Sequence, residues 1–128
     1  MYESIWYVGV AVKDVAQAKK DYEEKLGLKA TGEPEDSPQL GIKRVVIPFG
    51  DTGQFIELVE PLGENSAIRP TLERRGEGIH TVTLAVDDVK AAAEDLRRRG
   101  TRIVEVGTQV FIHPSETHGV LWQLRKKE

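Results

Sequence analysis

The chain has 128 residues, 39% of them apolar and 30% charged, which is the size and make-up of one ordinary folded domain. Lys and Arg total 18 against 21 Asp and Glu, and the formal charge of −3 argues against the phosphate neutralisation that general nucleic-acid binding needs. Cysteine is absent, which excludes disulfides, thiolate metal sites and thiol nucleophiles; no apolar run approaches a membrane span, and the N-terminus carries no leader pattern, so a cytoplasmic protein is expected.

The first element is read from Tyr7-Val-Gly-Val-Ala-Val-Lys-Asp14, a strand that runs into a helix. Asp14 is placed to cap that helix, with Gln17 completing a capping box. Val15, Ala18, Tyr22 and Leu26 follow at helical spacing, and Gly27 ends it as a left-handed cap. A short strand is expected near 29–32. Glu33, Glu35 and Asp36 read as a solvated loop. Arg44-Val-Val-Ile-Pro48 and Gln54-Phe-Ile-Glu57-Leu-Val59 read as two further strands. A turn at Pro61-Leu-Gly63 leads to a short helix between Asn65 and Arg75.

The order then repeats. Thr81-Val-Thr-Leu-Ala-Val-Asp-Asp88 matches the first strand at an offset of 74 residues, 88 − 14 for the two capping aspartates. Val89, Ala92 and Leu96 form the second apolar helix face, and Gly100 stops it. A short strand near 101–105, then Gln109 to His113 and Gly119 to Leu124, complete the second half. One domain over 1–128 is therefore expected, with module 1 at about 1–62, a joint at about 63–77 and module 2 at about 78–128. Each half is too small for a core of its own.

Strand parity sorts the side chains. Trp6, Val8, Val10 and Val12 oppose Tyr7, Gly9 and Ala11; His80, Val82, Leu84 and Val86 oppose Thr81, Thr83 and Ala85. The bulky faces should meet the helices, and the small, polar faces should line something open. Glu57 stands in mid-strand between apolar neighbours, where an unpaired charge is costly. It reads either as a ligand or metal contact, or as a solvated charge on a half-exposed sheet. His80 reads as a packed histidine at a strand entrance unless a bulge reverses its face. His113 reads as a turn histidine, and Arg125-Lys126-Lys127 as a solvated tail.

The motifs Val8-Gly-Val-Ala-Val-Lys-Asp14, Ile56-Glu-Leu-Val-Glu-Pro61, Arg75-Gly-Glu-Gly-Ile-His80 and His113-Pro-Ser-Glu-Thr-His-Gly-Val-Leu121 run nearly end to end. Through them the chain resembles the vicinal oxygen chelate superfamily of glyoxalases, dioxygenases and bleomycin-resistance proteins, and within it the methylmalonyl-CoA epimerases. The resemblance implies an α+β fold in which two βαβββ modules form curved mixed sheets around a central cleft. It also implies a homodimer, and a divalent metal held by two side chains from each module. At the four ligand positions this sequence has Tyr7, Glu57, Thr81 and Gln123.

Only Glu57 is a good ligand of that set, and Gln123 a tolerable one. No cofactor is expected; if Co, Ni, Mn, Zn or Mg is held, Glu57 and Gln123 are its ligands, in a rearranged site with His80 or His118. The family's two proton-transferring carboxylates fall on Gln39 and Gln123, and an amide is no base near neutral pH. Glu57 is then the remaining carboxylate and Tyr7 a proton donor or oxyanion partner. Gln39, Thr81, Gln123 and His118 are the expected substrate contacts. The ligand implied is a small acyl thioester or related small acid, turned over by an isomerase or lyase; the alternative is a non-catalytic small-molecule binder of the bleomycin-resistance type.

Overall fold

The computed structural model describes residues 1–128. The elements run β1 (Tyr2–Ala11), α1 (Val15–Leu26), β2 (Glu35–Ser37), β3 (Ile42–Pro48), β4 (Phe55–Pro61), α2 (Ile68–Arg75), β5 (Gly78–Val86), α3 (Val89–Arg98), β6 (Ile103–Val106), β7 (Gln109–Ile112) and β8 (Trp122–Arg125), with a 3-10 turn at Pro114–Glu116. The fold is α+β. The order βαβββ occurs twice, with α2 between the two runs. No helix is long and apolar enough to cross a membrane.

Two compact units are present, Val8–His80 and the combination of Met1–Tyr7 with Thr81–Glu128. In the first, the strand order is β2-β3-β4-β1. β3 and β4 pair antiparallel from Ile42 opposite Pro61 to Pro48 opposite Phe55. Val12, Val15, Ala30, Val45, Ile47 and Leu58 form its core, with Ala18 and Tyr22 of α1 packed against them. The other face of β3 and β4 has a smaller cluster, where Ile68 of α2 covers Ile42 and Val59.

In the second unit the order is β5-β8-β7-β6. β8 runs parallel to β5 and antiparallel to β7, so the sheet is mixed. Its core joins Val86, Val110, Ile112 and Leu124 to Ala92, Ala93 and Leu96 of α3. In both units, then, the bulky strand faces meet the helices, as alternation requires.

The repeat extends to the hydrogen bonds. Asp14 Oδ1 accepts from the Gln17 N–H at 3.1 Å, and Asp88 Oδ1 from the Ala91 N–H at 3.0 Å. Gly27 (φ 70°) and Gly100 (φ 83°) both take the left-handed conformation that ends each helix. The capping box, however, is only half formed: the Gln17 amide turns to Asp21 instead of back to residue 14. The first turn of α1 gains a different partner, since Glu60 Oε1 accepts from the Val15 N–H at 2.8 Å. Asp88→Ala should therefore lower stability by about 1 kcal/mol. Asp14→Ala should cost less, because Glu60 still serves that helix end. Urea denaturation of the two variants checks the order.

Three strand expectations meet the structure differently. Residues 29–32 are not a strand; the short strand is β2, at Glu35–Ser37. Of the acidic residues read as a solvated loop, Glu35 and Asp36 lie instead on this edge strand, opposite Arg44 and Lys43, and their side chains are exposed. Second, the small and polar positions are not exposed: Thr81, Thr83, Ala85 and Ala11 are all buried. Third, burial alternates along β1 as parity expects, yet the Trp6 and Tyr7 rings come together edge to face, their centroids 5.2 Å apart.

Candidate functional site

Within the Val8–His80 unit, Glu57 is largely buried, its side chain 15% exposed. The reading as a solvated charge does not hold, because the structure supplies a partner. Arg44 donates from Nε and Nη2 to Glu57 Oε2, both at 2.7 Å. The register explains the pair. Val46 stands opposite Glu57 and Arg44 opposite Val59, so the two charges lie diagonally on one face of the β3–β4 ladder. No protein hydrogen bond is formed at Glu57 Oε1.

Gln39 belongs to the same unit and is exposed in the turn after β2. That turn is closed by the Leu40 N–H to the Ser37 carbonyl and the Gly41 N–H to the Pro38 carbonyl. Gly41 has φ 65°, and a Cβ there would meet Ser66 Cα at 3.2 Å, so the chain needs glycine at this crossing.

His80 also lies here, half-buried. Burial, and then the positive charge of Arg75, push its imidazole below the ordinary histidine value. It is neutral in the folded state at neutral pH. The unfolded chain takes up a proton near pH ~6.5, the folded one only below that. The stability this contributes is therefore complete above pH ~6.5 and is lost as pH falls through that value towards the lowered one. His80→Gln should flatten that acid limb: between pH 7.5 and 5.5 the wild type should lose more stability than the variant, read from denaturant midpoints.

In the other unit, Tyr7 is 4% exposed, Thr81 8% and Gln123 5%. Gln123 Oε1 accepts from the Thr83 hydroxyl at 3.4 Å, a pair made by their direct opposition across β5 and β8. Arg125 donates from Nη1 to the Tyr7 phenol oxygen at 2.8 Å. Its guanidinium carbon lies 5.2 Å from the Trp6 ring centroid and 5.8 Å from that of Tyr7. Arg125 is therefore part of β8 and its contacts rather than of a solvated tail; Lys126 and Lys127 remain exposed.

His118 is exposed and has φ 60°, the left-handed conformation that a non-glycine residue seldom adopts. His113 caps the 3-10 turn, accepting from the Ser115 N–H on Nδ1 at 3.0 Å, which is the turn role the sequence suggests.

Two cavities lie in the Val8–His80 unit, of about 370 and 780 Å³, and neither includes Glu57, Arg44 or Gln39. The acidic groups of the smaller one are engaged: Asp14 caps α1, Asp21 holds Gln17, and Glu77 accepts from the Lys13 N–H.

Residues 7–115 match the glyoxalase/bleomycin resistance protein/dioxygenase superfamily. The chain belongs to that superfamily. It is 34% identical over 129 residues to the mitochondrial methylmalonyl-CoA epimerase of Bos taurus, covering 94% of this chain and 72% of that protein. It is 33% identical over 130 residues to the ethylmalonyl-CoA/methylmalonyl-CoA epimerase of Cereibacter sphaeroides, covering 94% and 95%. Among solved superfamily structures, the Mycobacterium tuberculosis methylmalonyl-CoA epimerase gives a TM-score of 0.86 at 31% identity, over 99% of this chain and 89% of that one. A methylmalonyl-CoA epimerase in complex with methylmalonyl-CoA gives 0.85 at 28%, over 97% and 94%.

No group of three or more His, Asp or Glu side chains lies together as a metal site would require. The sequence singles out Glu57, Tyr7 and Gln123 but misses their partners. Arg44, Arg125 and Thr83 carry no motif; only strand register brings them into place.

Proposed function

We propose that this chain is an epimerase-like member of the superfamily that binds a small acyl thioester of coenzyme A, and that its metal site is degenerate. The relatives named above supply the ligand class. The donor chemistry supplies the rest. A divalent ion needs several anionic or strongly basic donors. The four positions that the family uses carry one carboxylate, one amide and two neutral hydroxyls here. The observation that carries the reading is that two of the four, Glu57 and Tyr7, are already hydrogen-bonded to arginines, at 2.7 and 2.8 Å. A guanidinium beside a donor takes its lone pairs and repels a dication. The residues present do not suit the metal, and no chemical step is assigned to one.

What remains for catalysis is limited. Removing a proton α to a thioester carbonyl needs a base, and inverting that carbon needs proton transfer on both faces. Gln39 and Gln123 cannot serve. Glu57 keeps one oxygen without a protein partner, and Tyr7 carries the one phenol at these positions. Exchange of a single α-proton by Glu57, without efficient inversion, is the chemistry the residues support. Thr81, Gln123, Gln39 and His118 are assigned to ligand contact. Homodimerisation belongs to the same proposal, supported by the exposed apolar side chains of Tyr2, Ile5 and Ile79.

Solvent-deuterium exchange into methylmalonyl-CoA tests it. The ligand should bind, and inversion should run about 10²–10⁴-fold slower than in a relative with two carboxylates. Inversion at the relative's rate would contradict the reading. Binding with no exchange at all would favour the pure binder, towards which the engagement of Glu57 by Arg44 already points.

A further inference from the structure

Helix α2 is held more lightly than the other two. It has eight residues, and Ile68 is the one fully buried, in a cluster with Ile42 and Val59. A helix this short depends on packing for its stability. No side chain caps its N-terminus, whereas Asp14 and Asp88 cap α1 and α3. Pro70 stands in its first turn and disfavours the helical backbone of Arg69 before it.

Ser66 works against the docked position. It is 4% exposed, and its Oγ has no hydrogen-bond partner. A hydroxyl buried in that way gives up water without replacing it. Moving α2 outwards returns the hydroxyl to solvent, so this residue favours an open arrangement. Both ends of the segment can turn. Gly63 (φ 82°) precedes α2 and Gly76 (φ 77°) follows it, and a Cβ at either would meet nothing within 4 Å. Glycine serves the backbone there rather than a close approach. Outside these two points the chain is fixed again. The Leu62 N–H donates to the Gly41 carbonyl at 2.8 Å, and Glu77 accepts from the Lys13 N–H at 2.8 Å.

What α2 covers gives the motion a use. Val59 stands directly opposite Arg44, and Val46 opposite Glu57, so Ile68 rests on the ladder face that carries the Arg44–Glu57 pair. We propose that the segment between Gly63 and Gly76, with α2 at its centre, is a lid that opens as a unit and admits the ligand to the face bearing Glu57. The ligand part rests on the reading that the chain binds an acyl thioester. Opening uncovers Ile42 and Val59, an apolar floor beside the carboxylate. Reclosure withdraws that floor and its occupant from water.

Amide hydrogen exchange of the full chain tests the opening without any ligand. Amides of α2 should exchange at least about tenfold faster than those of α1, at a rate that low concentrations of urea leave unchanged, because a local opening exposes little surface. A lock tests the gate. The chain has no cysteine, so Gly41→Cys with Ser66→Cys can form one disulfide only. A Cβ at Gly41 lies 3.5 Å from Ser66 Cβ, within the span of a disulfide. The strain of replacing Gly41 is shared by the oxidised and reduced forms, so their difference reports the bond. Oxidation should slow α2 exchange, and methylmalonyl-CoA association in stopped flow, by about tenfold or more. Ser66→Ala, which removes the unpartnered hydroxyl, should slow both by about tenfold in the same direction and decides the matter should the double variant misfold. Exchange of α2 together with α1, in a single urea-dependent unfolding, overturns the lid. So does association that is equal in the locked and unlocked proteins. If methylmalonyl-CoA binds none of them, the acyl-thioester reading fails, and the exchange rates alone decide whether α2 opens.

Discussion

Gln123→Glu should raise the rate of α-proton exchange in methylmalonyl-CoA by about 10²–10⁴-fold, the usual contribution of a positioned general base. The argument is one of atom type. The Gln123 side chain is 5% exposed and lies on β8 opposite Thr83. Its Oε1 accepts the Thr83 hydroxyl hydrogen bond at 3.4 Å, and a carboxylate oxygen can accept that bond equally well. The substitution therefore preserves shape and partner while turning an amide that cannot take a proton into a group that can. The cost is a buried charge, and a lower Tm is expected with it. Exchange is followed by loss of the α-proton signal in deuterated buffer. A rate unchanged by Gln123→Glu would mean that this position does not face the reacting carbon.

The second large effect concerns the Arg44–Glu57 pair. Glu57→Gln and Arg44→Gln should each destabilise the protein, and the double variant should lose less than their sum. A coupling of about 1–2 kcal/mol is expected. The pair is partly withdrawn from water, which sets it above an exposed ion pair, whose usual worth is about 0–1 kcal/mol. One-third exposure of Arg44 keeps it well below a fully buried one. Denaturant midpoints of the four proteins complete the cycle. The coupling should also persist at high salt, where exposed ion pairs such as Arg125–Glu128 weaken. A coupling near zero would remove Glu57 as the group that positions Arg44.

Much of the fold was legible in the sequence because its signals are local. Asp14 and Asp88 each lie three residues from the amide they cap. The apolar alternation of Val10 and Val12, or of Leu84 and Val86, names the helix-facing side without any knowledge of pairing. The βαβββ repeat follows from matching such signals at one offset. What escaped depends on register or on contacts distant in sequence. Glu60 serves the start of α1 from 45 residues away. Arg125 meets Tyr7 across 118 residues. Strand β2 rests on its backbone pairing with β3, Glu35 opposite Arg44 and Asp36 opposite Lys43, not on any strand preference of three acidic and polar residues. Strict parity gave no sign that the Trp6 and Tyr7 rings meet near the Arg125 guanidinium.

The partners of the candidate residues were less legible. The resemblance names Tyr7, Glu57, Thr81 and Gln123 as candidates. The arginines bonded to Tyr7 and Glu57 were invisible, because nothing in the run Ile42-Lys-Arg-Val46 distinguishes the Arg44 side chain from a solvated charge. The diagonal offset between β3 and β4 makes the difference.

Titration of metal-stripped protein with methylmalonyl-CoA, in chelator and then with added Co2+, addresses the reading most directly. Binding in chelator at an affinity that Co2+ leaves unchanged is the expected result. Binding that appears only with stoichiometric Co2+ would contradict it.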